Sequence, residues 1–173
     1  MNMETGYVQV YTGDGKGKTT ALLGLALRAA GAGKRVYIGQ FIKKGDFSEC
    51  KTIESCLPQI TLEQYGEGFV FAAVTAAHMA AAQNGLARAR EALFSGEYAL
   101  VMLDEINVAV DLGLLPVADV LDLIRAKPRN VELVLSGRNA PPALIAAADL
   151  VSEIREIKHY YKKGVPAREG IEM

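Results

Sequence analysis

Two short stretches of this 173-residue chain carry side chains of the type and spacing that handle a polyphosphate. The first is Thr12-Gly13-Asp14-Gly15-Lys16-Gly17-Lys18-Thr19-Thr20. Glycines let successive backbone N–H groups turn toward an anion, a lysine adds a point charge, a threonine hydroxyl suits Mg²⁺, and a helix starting here adds the positive end of its dipole. The expected phosphate contacts are Gly13, Gly15, Gly17, Lys18, Thr19 and Thr20, flanked by Lys16, with Asp14 and Arg138 as further contacts to nucleoside or phosphate. The loop departs from G-x-x-x-x-G-K-[ST]: Thr12 stands where the first glycine belongs, and the glycine arrives one residue late at Gly13. It is therefore tighter than the standard loop. The second stretch is Asp104-Glu105, which ends the apolar run 98–103. Two acids after an apolar strand carry little information alone. After a phosphate loop in a chain of this kind they are the Walker B arrangement, and Thr19, Asp104 and Glu105 become candidate Mg²⁺ ligands. Asp104 as a helix N-cap is compatible with that role.

These side chains need a strand before the loop and a helix after it. Residues 7–11 are β-prone, 21–27 form helices readily, and 28–34 bring a basic turn and glycines that stop a helix. Residues 35–41 then read as a second strand, which completes a βαβ unit and makes the two strands parallel. Residues 41–49 turn polar at the sheet's C-terminal edge, where such sheets bind ligands, and form a candidate substrate loop. Further strands are expected at 59–65, 98–103, 131–136 and 150–157. Helices are expected at 72–95, with Gly85 a weak point, and at 106–112, 116–125 and 142–148. The whole reads as a single α/β domain over 1–173, a three-layer phosphate-loop NTPase-like (RecA-like) fold with a mostly parallel sheet. The first, Asp104-bearing and Ser136-bearing strands should be central, with the Asp104 strand beside the phosphate loop. Phe69 and Phe71 follow glycine hinges and would either staple the next helix to the core or face a ligand. The basic, aromatic tail 158–171 is either a solvated end or a ligand cover.

With 50% hydrophobic and 23% charged residues, the chain is long enough to bury a core without disulfides. A net charge of −1 gives no basic field for duplex nucleic acid, so no nucleic-acid partner is expected. No leader-like start or membrane-length apolar run is present, which predicts a cytoplasmic protein without membrane association. Cys50 and Cys56 lack redox or zinc spacing and read as reduced thiols, and His78 and His159 lie in no metal-ligand cluster.

Taken together, the phosphate loop, Gln40-Phe41-Ile42-Lys43, Gly66-Glu67-Gly68-Phe69, Leu103-Asp104-Glu105, Ser136-Gly137-Arg138 and the segment from Lys158-His159 to Gly170-Ile171 resemble one family. It is the ATP:corrinoid adenosyltransferases that bear a phosphate loop, and the displaced first glycine is part of the likeness. The resemblance implies attack by a cobalt(I) corrinoid on the 5′ carbon of ATP, with expulsion of triphosphate. It also implies ATP reversed on the loop, Mg²⁺, a reduced flavoprotein as electron donor, and a homodimer. The corrinoid could be cobalamin, cobinamide or cobyrinic acid a,c-diamide. Lys18, Thr19 and Glu105 would serve the transfer, and Phe69 and Phe71 would exclude the axial ligand at the corrinoid's lower face. Two departures stand out: Phe71 replaces a frequent tryptophan, and an N-terminal extension that covers the corrinoid in some relatives is not seen. Arg28 lies about three turns beyond Lys18, too far to serve its own phosphate site, though it could reach a neighbour's. A conventional ATPase or kinase releasing ADP, and a non-catalytic nucleotide- or corrinoid-binding module, are the alternatives.

Overall fold

The computed structural model describes residues 5–67 and 74–172. Six strands, β1 (Val8–Thr12), β2 (Val36–Phe41), β3 (Ile60–Tyr65), β4 (Leu100–Asp104), β5 (Glu132–Ser136) and β6 (Leu150–Glu153), form one sheet in the order β3-β2-β4-β5-β1-β6. Every pairing is parallel. Strands β2, β4 and β5 are buried along their whole length, as expected for near-continuous apolar runs covered on both faces. Edge strand β6 is exposed throughout and stops at Glu153, short of the expected residue 157.

Alternation along the strands divides the core in two. Leu100 and Met102 face one side with Ile38 and Val134, where α1 (Lys18–Gly31) and α2 (Ser48–Cys56) cover them through Leu22, Ala26 and Ile53. Val101 and Leu103 face the other with Leu133 and Leu135, under α3 (Ala76–Phe94), α4 (Ile106–Asp111), α5 (Val117–Ala126) and α6 (Pro142–Ala147). The result is the expected three-layer α/β arrangement, with the strands that end in Asp104 and Ser136 at its centre. No helix among the described residues is long and apolar enough to cross a membrane.

The Asp104 strand reaches the phosphate loop as expected, with Thr19 Oγ1 3.1 Å from Asp104, although it does not pair with β1: β5 pairs with both and separates them. Strand order is set by crossover connections that no local pattern encodes. Asp104 still reaches the loop, because the first turn of α1 comes to it. Helix α2 was also not foreseen: of its nine residues it buries Ile53 alone, too little for a periodic signal.

Two details revise the reading of α3. Its N-terminus is a reciprocal cap in which His78 N–H donates to Thr75 Oγ1 and Thr75 N–H donates to His78 Nδ1. Gly85 is a packing requirement rather than a weak point. A Cβ there would stand 2.7 Å from Tyr65 Cγ and 2.8 Å from its Cβ, at the stiff root of that side chain. Gly85→Ala should therefore destabilise the fold by about 1–2 kcal/mol, overpacking outweighing the gain in helix propensity. A lowered denaturant midpoint would bear this out, and a raised one would refute it.

Candidate functional site

The carboxyl ends of β1, β2, β4 and β5 open on one edge of the sheet, the place where parallel α/β sheets bind ligands. There, a cleft of about 550 Å³ is lined by Gly15–Thr20, Lys43, Glu105 and Arg138. Ser48, Glu49 and Thr52 of α2 also line it, as do His159 and Gly170–Glu172 of the tail.

The loop's glycines divide their work. At Gly13 a Cβ would sit 2.4 Å from Ile154 O, and at Gly15 it would sit 2.8 Å from Arg155 C, so both are glycines because the chain after β6 runs flush behind the loop. Gly15 N–H donates to Ile154 O at 2.8 Å, and Ile154 N–H to Thr12 O at 2.8 Å. Gly17 differs: its φ of +127° requires glycine, yet a Cβ would meet nothing within 4 Å. Thr12 has its own task in place of the missing glycine, since its hydroxyl accepts from Ala140 N–H at 3.2 Å and anchors the turn after Arg138.

Helix α1 begins at Lys18 with no side chain capping it. The Lys18 ammonium arches back onto Gly13 O (2.7 Å) and Gly15 O (2.8 Å), and burial pulls its pKa down. Thr19 Oγ1 lies 3.1 and 3.2 Å from the two oxygens of Asp104. Asp104 is wholly enclosed and accepts from Ser136 Oγ at 2.6 Å, Lys43 Nζ at 2.9 Å and Gln40 Nε2 at 3.4 Å. The Lys43 ammonium also donates to Thr19 Oγ1 at 2.9 Å. Burial opposes the charge of Lys43, but the Asp104 carboxylate outweighs it and the pKa rises. Glu105 adopts φ +61°, and its carboxyl is pushed up by burial and then by Asp104.

Of the expected residues, the structure gathers Gly15, Lys16, Gly17, Lys18, Thr19, Thr20, Glu105 and Arg138 around the cleft, with Asp104 directly beneath Thr19. Gly13 belongs to the loop but not to the lining, and Asp14 is exposed and outside it. Arg28, in the last turn of α1, is also outside it. Phe69 and Phe71 lie outside the described residues. Lys43 and His159 stand in segments that carry the family resemblance but were given no role in the site, and the polar face of α2 was not singled out. The polar turn after β2 was the signal that pointed toward α2.

The tail, left open between solvated end and cover, folds against the loop. Lys16 Nζ donates to Ile171 O at 2.7 Å and lies 3.8 Å from Glu172. Glu172 in turn is held by Arg168 at 3.1 Å and by the Tyr160 hydroxyl. Those donors bring its carboxyl down to about 2.

The fold is similar to that of the RadB recombinase, with a TM-score of 0.56 and 14% identity over 90% of this chain and 77% of that one. That likeness concerns the fold alone. A family profile described as ATP:corrinoid adenosyltransferase BtuR/CobO/CobP matches residues 4–173. The chain belongs to the ATP:corrinoid adenosyltransferases. The corrinoid adenosyltransferase of Pseudomonas aeruginosa is 34% identical to it, over 98% of this chain and 84% of the relative. The corrinoid adenosyltransferase CobA of Salmonella typhimurium is 36% identical, over 98% and 86%.

In this adenosyltransferase the Thr19–Asp104 pair fits a hard divalent cation, since it offers a hydroxyl and a carboxylate, and a cation, the Lys43 ammonium, already bridges them. No group of three or more His, Cys, Asp or Glu among the described residues could hold a metal unaided. Glu105 adds a carboxylate that the fold keeps at a cost. Its folded pKa lies above the unfolded one, so ionised Glu105 destabilises the fold above the ordinary carboxylate range and contributes nothing below it. Glu105→Gln should raise the melting temperature at neutral pH, with the gain vanishing near pH 4, while adenosyl transfer falls ~10-fold or more. Thermal scans at both pH values and one rate assay check this.

Proposed function

We propose that the cleft binds ATP with its triphosphate on Gly15–Thr20, and that the chain transfers the 5′-deoxyadenosyl group to the cobalt(I) of a corrinoid. The observation that carries the reading is the convergence of Lys18, Thr19 and Asp104 at the sheet's C-terminal edge in a member of this family. In the reaction, cobalt(I) donates an electron pair to C5′, the C5′–O bond breaks, and its electron pair leaves with triphosphate. No proton changes hands. What the protein must supply is stabilisation of a leaving group whose charge grows in the transition state, and a site that keeps water away from the nucleophile.

The loop's backbone N–H groups and the Lys18 ammonium serve the first need, with Arg138 at the cleft's rim. Because the leaving group is the whole triphosphate, it must be the enclosed part, and C5′ must face the open edge. That requires ATP to lie reversed relative to an enzyme that transfers its γ-phosphate. Thr19, Asp104 and Glu105 would hold Mg²⁺, which neutralises phosphate charge when bound. Burial pulls the Lys18 pKa down, and a polyanion beside it would favour its charged form.

Phe69 and Phe71 are assigned to the corrinoid, where aromatic rings that cannot coordinate cobalt would displace its axial ligand and ease reduction by a reduced flavoprotein. The protein would work in the cytoplasm as a homodimer, on cobalamin, cobinamide or cobyrinic acid a,c-diamide.

Anaerobic incubation with ATP, Mg²⁺ and chemically reduced corrinoid should give the absorbance of the adenosylated product. Absence of that product from folded protein would remove the proposal. Lys18→Ala should lose ~1.5–3 kcal/mol of transition-state stabilisation, about 10- to 150-fold in rate, and an unchanged rate would show that the loop does not hold the leaving group. Phe69→Ala or Phe71→Ala should slow turnover that starts from cobalt(II) and flavoprotein, yet spare most of the turnover from cobalt(I). Equal losses in both assays would assign them to packing instead.

A further inference from the structure

Lys43 holds a position that its surroundings go to some length to create. It follows β2 in a three-residue turn: Lys43 N–H donates to Phe41 O at 2.6 Å, and the central residue, Ile42, has φ +67°. This is the strained form of that turn, and a β-branched residue is the least suited to it. Strain of this kind persists where neighbours enforce it, and it concentrates at working sites. The neighbour here is Gly66, where a Cβ would lie 2.1 Å from Ile42 O and 2.4 Å from Lys43 O, so the chain leaving β3 is pressed onto the turn. The turn delivers a largely buried lysine side chain, 14% exposed, to an Asp104 side chain with no exposure at all.

The contacts of that ammonium matter more than its burial. Nζ is 2.9 Å from Thr19 Oγ1 and 2.9 Å from Asp104 Oδ2, so it occupies lone pairs of both the hydroxyl and the carboxylate. Those are the lone pairs a divalent cation would need, and the two cations exclude each other. A metal arriving alone would find the buried Asp104 carboxylate, the Thr19 hydroxyl and, at the cleft wall, Glu105, with a tethered competitor already on the first two. A metal arriving on phosphate brings further oxygens with it, and the displaced ammonium has the carboxylate of Glu49 within electrostatic reach.

We propose that Lys43 is the resident cation of the Thr19–Asp104 pair, which excludes divalent metal from the nucleotide-free protein and yields only to metal that arrives with a nucleotide's phosphates. Metal binding thereby becomes conditional on nucleotide, and the buried Asp104 is never left without a cation. The inference rests on the reading of Thr19 and Asp104 as metal ligands, but its test does not require turnover.

The test is titration of nucleotide-free protein with Mn²⁺, followed by the electron paramagnetic resonance of free ion. Wild type should bind weakly, and Lys43→Met, which keeps the apolar stem, should bind ~10-fold tighter or more, as removal of a charge-assisted competitor requires. Adding Asp104→Asn to Lys43→Met should abolish the gain. No gain in Lys43→Met, or a gain that survives loss of the Asp104 charge, would overturn the proposal. Should Lys43→Met fail to fold, the ¹⁵N signal of the Lys43 ammonium in wild type decides. It should ignore Mg²⁺ alone and shift when Mg²⁺ and a non-hydrolysable ATP analogue are added together. A shift with Mg²⁺ alone, or none with both, would refute it. Failure of adenosyl transfer would leave these ion measurements standing, so the two readings fail separately.

Discussion

One enclosed carboxylate, Asp104, ties together the edge of the sheet and the phosphate loop. Asp104 ends β4 with no solvent exposure, and a buried charge is tolerated only when it is paired and its lone pairs are filled. Its partners come from four directions: Ser136 at the end of β5, Gln40 within β2, Lys43 just beyond β2, and Thr19 in the first turn of α1. Satisfying one carboxylate therefore fixes the relative heights of three parallel strands and docks the phosphate-loop helix onto them. Removing Lys43 would leave the charge unpaired, at a cost of order 3–5 kcal/mol. The same group is the structural pin of the sheet edge and, in the function proposed above, a ligand of the metal that accompanies ATP.

The phosphate loop is held from behind in a comparable way. The chain after β6 threads along the loop so closely that Gly13 and Gly15 have no room for a side chain, while at Gly17 a Cβ would meet nothing. This gives a physical account of the displaced glycine. The residue at 12 ends β1 and uses its hydroxyl to hold Ala140, and the glycine is needed one place later, where Ile154 presses in. The tail continues round to the front, where Glu172 and Ile171 meet Lys16, so the segment after β6 backs the loop at Ile154 and Arg155 and borders its mouth at Ile171 and Glu172.

How much of this was legible follows from what each element asks of its sequence. Strands β2, β4 and β5 are buried on both faces and announce themselves as apolar runs. The loop and Asp104-Glu105 were legible because phosphate and Mg²⁺ chemistry tolerate few substitutes. Helix α2 was not, since it rests on the sheet through Ile53 alone and turns its polar residues to the cleft. Neither was the place of β5 between β1 and β4, which is a property of the crossovers. Lys43 is an ordinary residue in an ordinary polar turn until three dimensions set it against Asp104. Gly85 read as a helix defect because the Tyr65 ring that excludes a side chain there lies twenty residues away in sequence.

In the function proposed above, the loop encloses an intact triphosphate and releases it whole. The most direct measurement is ³¹P NMR of the products after anaerobic turnover with ATP, Mg²⁺ and a cobalt(I) corrinoid. The structure predicts one triphosphate for each adenosylated corrinoid, with no ADP. ADP and inorganic phosphate appearing in step with turnover would contradict it, because the leaving group would then be cleaved inside the site rather than expelled from it.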